Sequence, residues 1–162
     1  MPTQTLDSAS QEFLRGSRIA TLATENEDGS IHLTAVWYLF ENGCLYVTTS
    51  SKSRKARNAM ERPKASLMVD SRKPAKERGV TAAGRVDVIL GAEGQVIGRR
   101  IHERYLSAAA LADPQVNSFF ATVDDVTLRI TPASWFCWDL AILDAQALGG
   151  KLATPGYMLA VD

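Results

Sequence analysis

Residues 20–55 read ATLATENEDGSIHLTAVWYLFENGCLYVTTSSKSRK, and this stretch decides most of the fold. Arg18–Thr24 (RIATLAT) has the apolar alternation of a strand. Asp28-Gly29 follows, a strong hairpin signal. His32–Phe40 (HLTAVWYLF) is rich in β-branched and aromatic residues and predicts a second strand. Asn42-Gly43 supplies another tight turn, and Cys44–Thr49 (CLYVTT) predicts a third strand. The expectation here is a three-stranded meander. The period then changes: Ser53–Glu61 (SRKARNAME) predicts a helix, with Ser51 or Ser53 as its cap and Pro63 beyond its end.

Working outward, Asp7–Leu14 predicts a short helix with Phe13 and Leu14 facing inward. Downstream, Ala65–Asp70 predicts a fourth strand, and SRKPAKERG a polar loop. Val80–Leu90 predicts a long fifth strand, with Gly84 permitting a bulge or bend. Glu93–Leu106 reads as a helix with Val96, Ile97, Ile101 and Tyr105 on one stripe, and a short helix is expected over Pro114–Phe120. Asp124–Thr131 and Ser134–Asp139 are expected as two last strands, broken by Pro132. The sum is an α+β protein: a small antiparallel barrel of six to seven strands with flanking helices. No repeat or linker divides the chain, so residues 1–162 are read as one domain, with a barrel core of about 13–139 and a C-terminal extension at 140–162.

Charge narrows the function. The 162 residues carry 18 Lys+Arg and 18 Asp+Glu, a net charge of zero, which disfavours a generic nucleic-acid or membrane-surface binder. Yet residues 52–78 hold ten basic and three acidic side chains, a balance of +7. Residues 50–78 contain no Phe, Trp or Tyr, so base stacking has no platform there. The 2 cysteines, Cys44 and Cys137, sit in apolar runs without CxxC or a nearby His, and are expected as packed thiols rather than zinc ligands. The polar N-terminus and the lack of a long apolar run predict a cytoplasmic protein with no signal peptide or membrane span.

Leu45–Lys55 (LYVTTSSKSRK) concentrates chemistry. A strand ends in Thr48-Thr49, Ser50 and Ser51 follow, and a helix begins amid Lys52, Ser53, Arg54 and Lys55. A phosphate wants helix N-terminal N–H groups, hydroxyl donors and cationic side chains, and all are present. Basic residues at a helix start also oppose its dipole, a cost that an anion relieves. The same residues can equally be a solvated basic helix face.

The order of these elements resembles the FMN-binding split-barrel superfamily, the pyridoxamine 5′-phosphate oxidase-like group that also includes deazaflavin F420-dependent reductases. ATLAT, TAVWYLFENGCLYVTT, SSKSRKARN, RPKASLMVD, VTAAGRV and VTLRITPASWFCWD carry the resemblance, over about Phe13–Asp139. It implies a split β-barrel that binds FMN at a homodimer interface. It further implies that Ala35, Val36 and Trp37 lie against the flavin ring and that Thr48 and Thr49 contact the ribityl–phosphate region. Arg54 and Lys55 would then hold the phosphate, with Ser50, Lys52 and Ser53 assisting. Core packing is the alternative for Trp37.

The implied activity is flavin-dependent hydride transfer to or from a small organic substrate, with F420 as the alternative cofactor. A non-catalytic flavin- or haem-binding module is a further alternative. Pyridoxamine phosphate oxidases proper carry a basic, His-containing segment near the C-terminus. Here Lys151 is the sole basic residue after Trp135, so vitamin B6 oxidation is not expected. His32 and His102 stand isolated and read as surface or packing residues. No Ser/His/Asp or Cys/His set points to hydrolysis, and no catalytic residue or metal ligand is assigned.

Overall fold

The computed structural model describes residues 6–159. Among them, seven antiparallel strands form a curled half-barrel flanked by six α-helices, an α+β split barrel. The strands are β1 (Ala20–Glu25), β2 (Ile31–Val36), β3 (Leu39–Glu41), β4 (Cys44–Thr49), β5 (Lys64–Ser71), β6 (Arg78–Ile89) and β7 (Val126–Asp139). The helices are α1 (Ser8–Arg15), α2 (Arg54–Glu61), α3 (Gly91–Tyr105), α4 (Ala108–Ala112), α5 (Pro114–Val123) and α6 (Leu140–Leu148). Sheet order is β2-β1-β5-β6-β7-β4-β3. One face of the sheet closes over Leu22, Leu45, Val47, Leu67, Val69, Val80, Val86, Leu128 and Ile130, each essentially inaccessible to water. Burial of each such side chain contributes about 1.5–3 kcal/mol before entropy is counted.

Helix starts follow local chemistry. Asp7 caps α1 by accepting from the Ser10 amide at 2.6 Å, and Ser53 caps α2 by accepting from the Ala56 amide at 3.3 Å. In the β3–β4 turn Asn42 and Gly43 both have positive φ, 51° and 73°, as a two-residue hairpin loop requires. The β6–β7 ladder shifts register between Ala83 and Gly84, where the sequence allowed a bulge.

The meander expected from residues 18–49 does not form. The second strand is split at Trp37-Tyr38: β2 pairs with β1, β3 pairs with β4, and these two hairpins lie at opposite ends of the sheet. The reason is tertiary. At the break, the Tyr38 amide donates to Tyr105 Oη at 3.3 Å, and Arg104 Nε donates to the Tyr38 carbonyl at 3.1 Å. Side chains of α3 thus replace a neighbouring strand as backbone partners.

Pro132 does not break the last strand either. β7 is continuous, Pro132 faces Gly84 at the register shift, and β4 pairs only as far as Ile130, so the missing N–H falls where the ladder is already interrupted. The buried face of α3 is Gly94, Gly98, Ile101 and His102, whereas Val96 is 62% exposed, which corrects the expected apolar stripe. α4 and α6 form in stretches without a clear hydrophobic period. Cys44 is partly buried and Cys137 exposed, so the second thiol is not packed in the core. No helix of the described residues is long and apolar enough to cross a membrane.

Candidate functional site

The end of β4, the first turn of α2 and the end of β2 meet beneath α5. They frame an open cavity of about 380 Å³ lined by Ile19, Ala35, Val36, Trp37, Thr48, Thr49, Lys55, Phe120 and Asp124. Its chemistry is uneven. Ile19, Ala35, Val36, Trp37 and Phe120 supply apolar surface, whereas Thr48, Thr49, Lys55 and Asp124 supply hydroxyls and one charge of each sign.

Local packing fixes each side chain. Thr48 sits against α3, where a Cβ on Gly98 would lie 2.7 Å from Thr48 Oγ1, so the glycine lets helix and strand approach without turning that hydroxyl aside. Thr49 Oγ1 donates to Ser53 Oγ at 3.2 Å, which ties the strand end to the helix cap. Lys55 is half-buried, and burial pushes its ammonium pKa down, with Asp124 pulling the other way. Trp37 stacks on Tyr105 with centroids 5.0 Å apart and planes 1° from parallel, and it tilts on Phe120 at 5.6 Å. Trp37 therefore both packs and lines the cavity.

Ten residues were singled out from the sequence as cofactor contacts, and the structure divides them. Ala35, Val36, Trp37, Thr48, Thr49 and Lys55 share the cavity. Ser50, Lys52, Ser53 and Arg54 do not line it. Ser50 Oγ accepts from the Lys52 amide at 3.2 Å, Ser53 caps α2, and the Lys52 side chain is exposed. Arg54 faces a separate polar groove with Asn26, Asp28, Arg57, Asn58 and Arg62. Adjacent helix residues point roughly 100° apart, and here Arg54 and Lys55 line different pockets.

Asp124 of the cavity wall was not singled out from the sequence, and it contacts a histidine that was read as a surface or packing residue. Asp124 lines the cavity, and its Oδ2 lies 2.9 Å from Nε2 of His102, which is buried on α3. His102 looked isolated because its partner is 22 positions away. Its spacing from Gly94, Gly98 and Tyr105 was the available signal, since all four fall on one helical face. Among the described residues no group of three or more His, Cys, Asp or Glu side chains could hold a metal ion.

A curled antiparallel half-barrel with a mixed cavity beside a capped basic helix defines the split-barrel class. The chain belongs to the pyridoxamine 5′-phosphate oxidase family, whose model matches residues 6–139. It matches no curated protein in sequence. Among solved structures, it is similar to the conserved hypothetical protein Rv2991 from Mycobacterium tuberculosis. The two share 27% identity and a TM-score of 0.71, covering 100% of this chain and 96% of the other. An F420 reductase shares the fold at 19% identity and TM-score 0.60, over 81% of this chain and 98% of that one. So does the haem storage protein HutZ from Vibrio cholerae, at 15% identity and TM-score 0.60, over 84% and 95%.

Proposed function

We propose that the protein is a flavin-dependent oxidoreductase that binds FMN in this cavity, at the interface of a homodimer, and acts on a small organic substrate. The observation that carries the reading is Lys55: a half-buried ammonium, disfavoured by burial and only partly offset by Asp124, in a cavity whose other walls are hydroxyls and apolar surface. Such a cation gains from an anion of the ligand, and a phosphate monoester is the anion that Thr48, Thr49 and Lys55 suit. The apolar side, Ala35, Val36 and Trp37, suits a flat ring system.

FMN would supply the two-electron chemistry; the chain supplies binding and orientation. Lys55 neutralises the phosphate, and the threonine hydroxyls donate to it. The β2 end and Trp37, braced by Tyr105 and Phe120, hold the ring position. F420, which also carries phosphate, satisfies the same argument, and the shared fold with an F420 reductase keeps it as the second reading. A haem-binding reading draws no support from His102, whose Nε2 is engaged by Asp124.

The dimer is argued from the sheet's outer face. Leu33, Ala23, Ser66, Ala83 and Ser134 lie in one cross-strand row, and Ala35, Thr21, Met68, Thr81 and Phe136 in the next. These two rows are uncharged, flanked on the same face by Glu25, Lys64, Asp70 and Arg85, and Ile31, Leu33 and Phe136 are 59%, 63% and 65% exposed. Ile19 and Ala35, also exposed, border the cavity on this side, so a second copy would cover the cavity mouth. We place the protein in the cytoplasm, where the free thiols Cys44 and Cys137 stay reduced.

The test is the absorption spectrum of the purified protein together with FMN titration of wild type, Lys55→Ala and Arg54→Ala. A flavin band and a loss of about 1.5–3 kcal/mol of affinity in Lys55→Ala, with a smaller loss in Arg54→Ala, are expected. Equal affinity in wild type and Lys55→Ala would place the phosphate elsewhere.

A further inference from the structure

His102 and Asp124 form a pair behind the cavity wall, and their role follows if the cavity holds an anion, so this inference rests on that reading. Nε2 of His102 lies 2.9 Å from Oδ2 of Asp124, with side-chain exposures of 9% and 16%. When Asp124 is ionised, this bond requires a hydrogen on Nε2. Asp124 also lines the cavity with Lys55, and its charge favours the Lys55 ammonium. A carboxylate on the wall of an anion site opposes the anion, and in a partly buried site salt screens that repulsion poorly. Protonating His102 cancels the carboxylate's charge and leaves Lys55 as the net charge that the anion meets.

Apart from Lys55, the other charged groups around the pair are engaged elsewhere. On α3, Arg99 pairs with Glu103 at 3.5 Å, and Tyr105 Oη donates to the Arg18 carbonyl at 2.6 Å. Next to Asp124, Asp125 accepts from the Ser51 amide at 2.6 Å and the Ser51 hydroxyl at 2.7 Å. α2 contributes Lys55, α5 contributes Phe120 with its ring 4.7 Å from the imidazole, and the end of β2 contributes Trp37 at 6.5 Å. Among these neighbours, the charge that His102 can alter at the cavity is that of Asp124.

We propose that Asp124 is a specificity-determining residue of the cavity and His102 its positioning residue, the two coupling the binding of the ligand's anionic end to protonation of His102. The ligand class is a phosphate-bearing flavin, distinguished from its dephosphorylated form more strongly at low pH.

The experiment titrates full-length wild type, His102→Gln and Asp124→Asn with FMN and with riboflavin between pH 6 and pH 8. The affinity ratio of the two ligands isolates the phosphate end. The phosphate titrates in this range itself, and the variants report that background. As the pH falls, the wild-type ratio is expected to gain about fivefold more than the ratio in either variant. Asp124→Asn is expected to bind FMN more tightly than wild type at pH 8, and His102→Gln less tightly at pH 6. Asp124→Glu, which keeps the charge, is expected to keep the slope. If Asp124→Asn does not fold, His102→Gln decides alone. Identical slopes in wild type and variants overturn the pair's role while leaving FMN binding intact. Failure of wild type to bind FMN or F420 at any pH overturns the reading of the cavity, and this inference with it.

Discussion

Tyr38 shows how one side chain holds the site's scaffold together. Its ring is fully buried, and its Oη lies 2.9 Å from the Leu14 carbonyl oxygen and 3.0 Å from that of Gly16, anchoring the end of α1 to the strand break. Burial, and secondarily Tyr105, pushes its pKa up to about 12. The folded state thus keeps the phenol proton where the unfolded chain, near pH 10, releases it. Stability from this group is complete below about pH 10 and declines up to about pH 12, by roughly 2–3 kcal/mol. Tyr38→Phe should cost about 1–2 kcal/mol at neutral pH through the lost hydrogen bond. It should also flatten the alkaline fall in the denaturation midpoint between pH 10 and pH 12. Urea titrations of both proteins across that range check both outcomes; parallel alkaline falls would contradict the assignment. Lys55 and Arg54 make a related point. The resemblance implies both as phosphate ligands, and in the structure Lys55 lines the cavity while Arg54 lines a neighbouring polar groove.

At the scale of elements, α3 decides the most. Its glycines allow it to lie against β4 and β7, and Thr127 Oγ1 donates to the Gly94 carbonyl at 2.7 Å. A Cβ on Gly94 would collide with the Ile89 carbonyl, which is backbone and cannot swing aside. On Gly98 it would meet the Thr48 hydroxyl, part of a side chain that can turn. Gly94→Ala should therefore lower stability by about 1–3 kcal/mol despite alanine's better helix propensity, and Gly98→Ala by less. Thermal melts of the two variants check the order.

Most element positions were legible, because hairpin turns, caps and period changes are local signals. Asp7, Ser53 and Asn42-Gly43 act in the structure as their types suggest. The break at Trp37-Tyr38 was not legible. Nothing in HLTAVWYLF interrupts a strand, and the partners that replace the ladder are Arg104 and Tyr105, more than sixty positions away. Pro132 misled for a similar reason, since its tolerance depends on the register of β6 beside it. The His102–Asp124 contact was not legible, because a pair 22 positions apart leaves no motif.

For the whole molecule, zero net charge describes the average while the proposed function depends on one departure from it. Much of the basic stretch 52–78 serves ion pairs or solvent: Arg62 pairs with Glu61 at 3.0 Å and Arg72 with Asp70 at 2.9 Å. The proposed dimer belongs to this scale. Leu33→Asp, on the exposed outer face of the edge strand β2, should convert a dimer to a monomer in light scattering and weaken FMN binding by about tenfold or more, as the cavity mouth loses its cover. A monomeric wild type of undiminished FMN affinity would contradict the interface.

The most direct test of the central claim is to titrate the purified, cofactor-stripped protein with FMN, riboflavin and F420 under one buffer condition. The account predicts saturable binding of FMN or F420, with FMN preferred over riboflavin by about tenfold or more, as one charge-assisted phosphate contact allows. Binding of neither phosphate-bearing cofactor, or equal affinity for FMN and riboflavin, would contradict it.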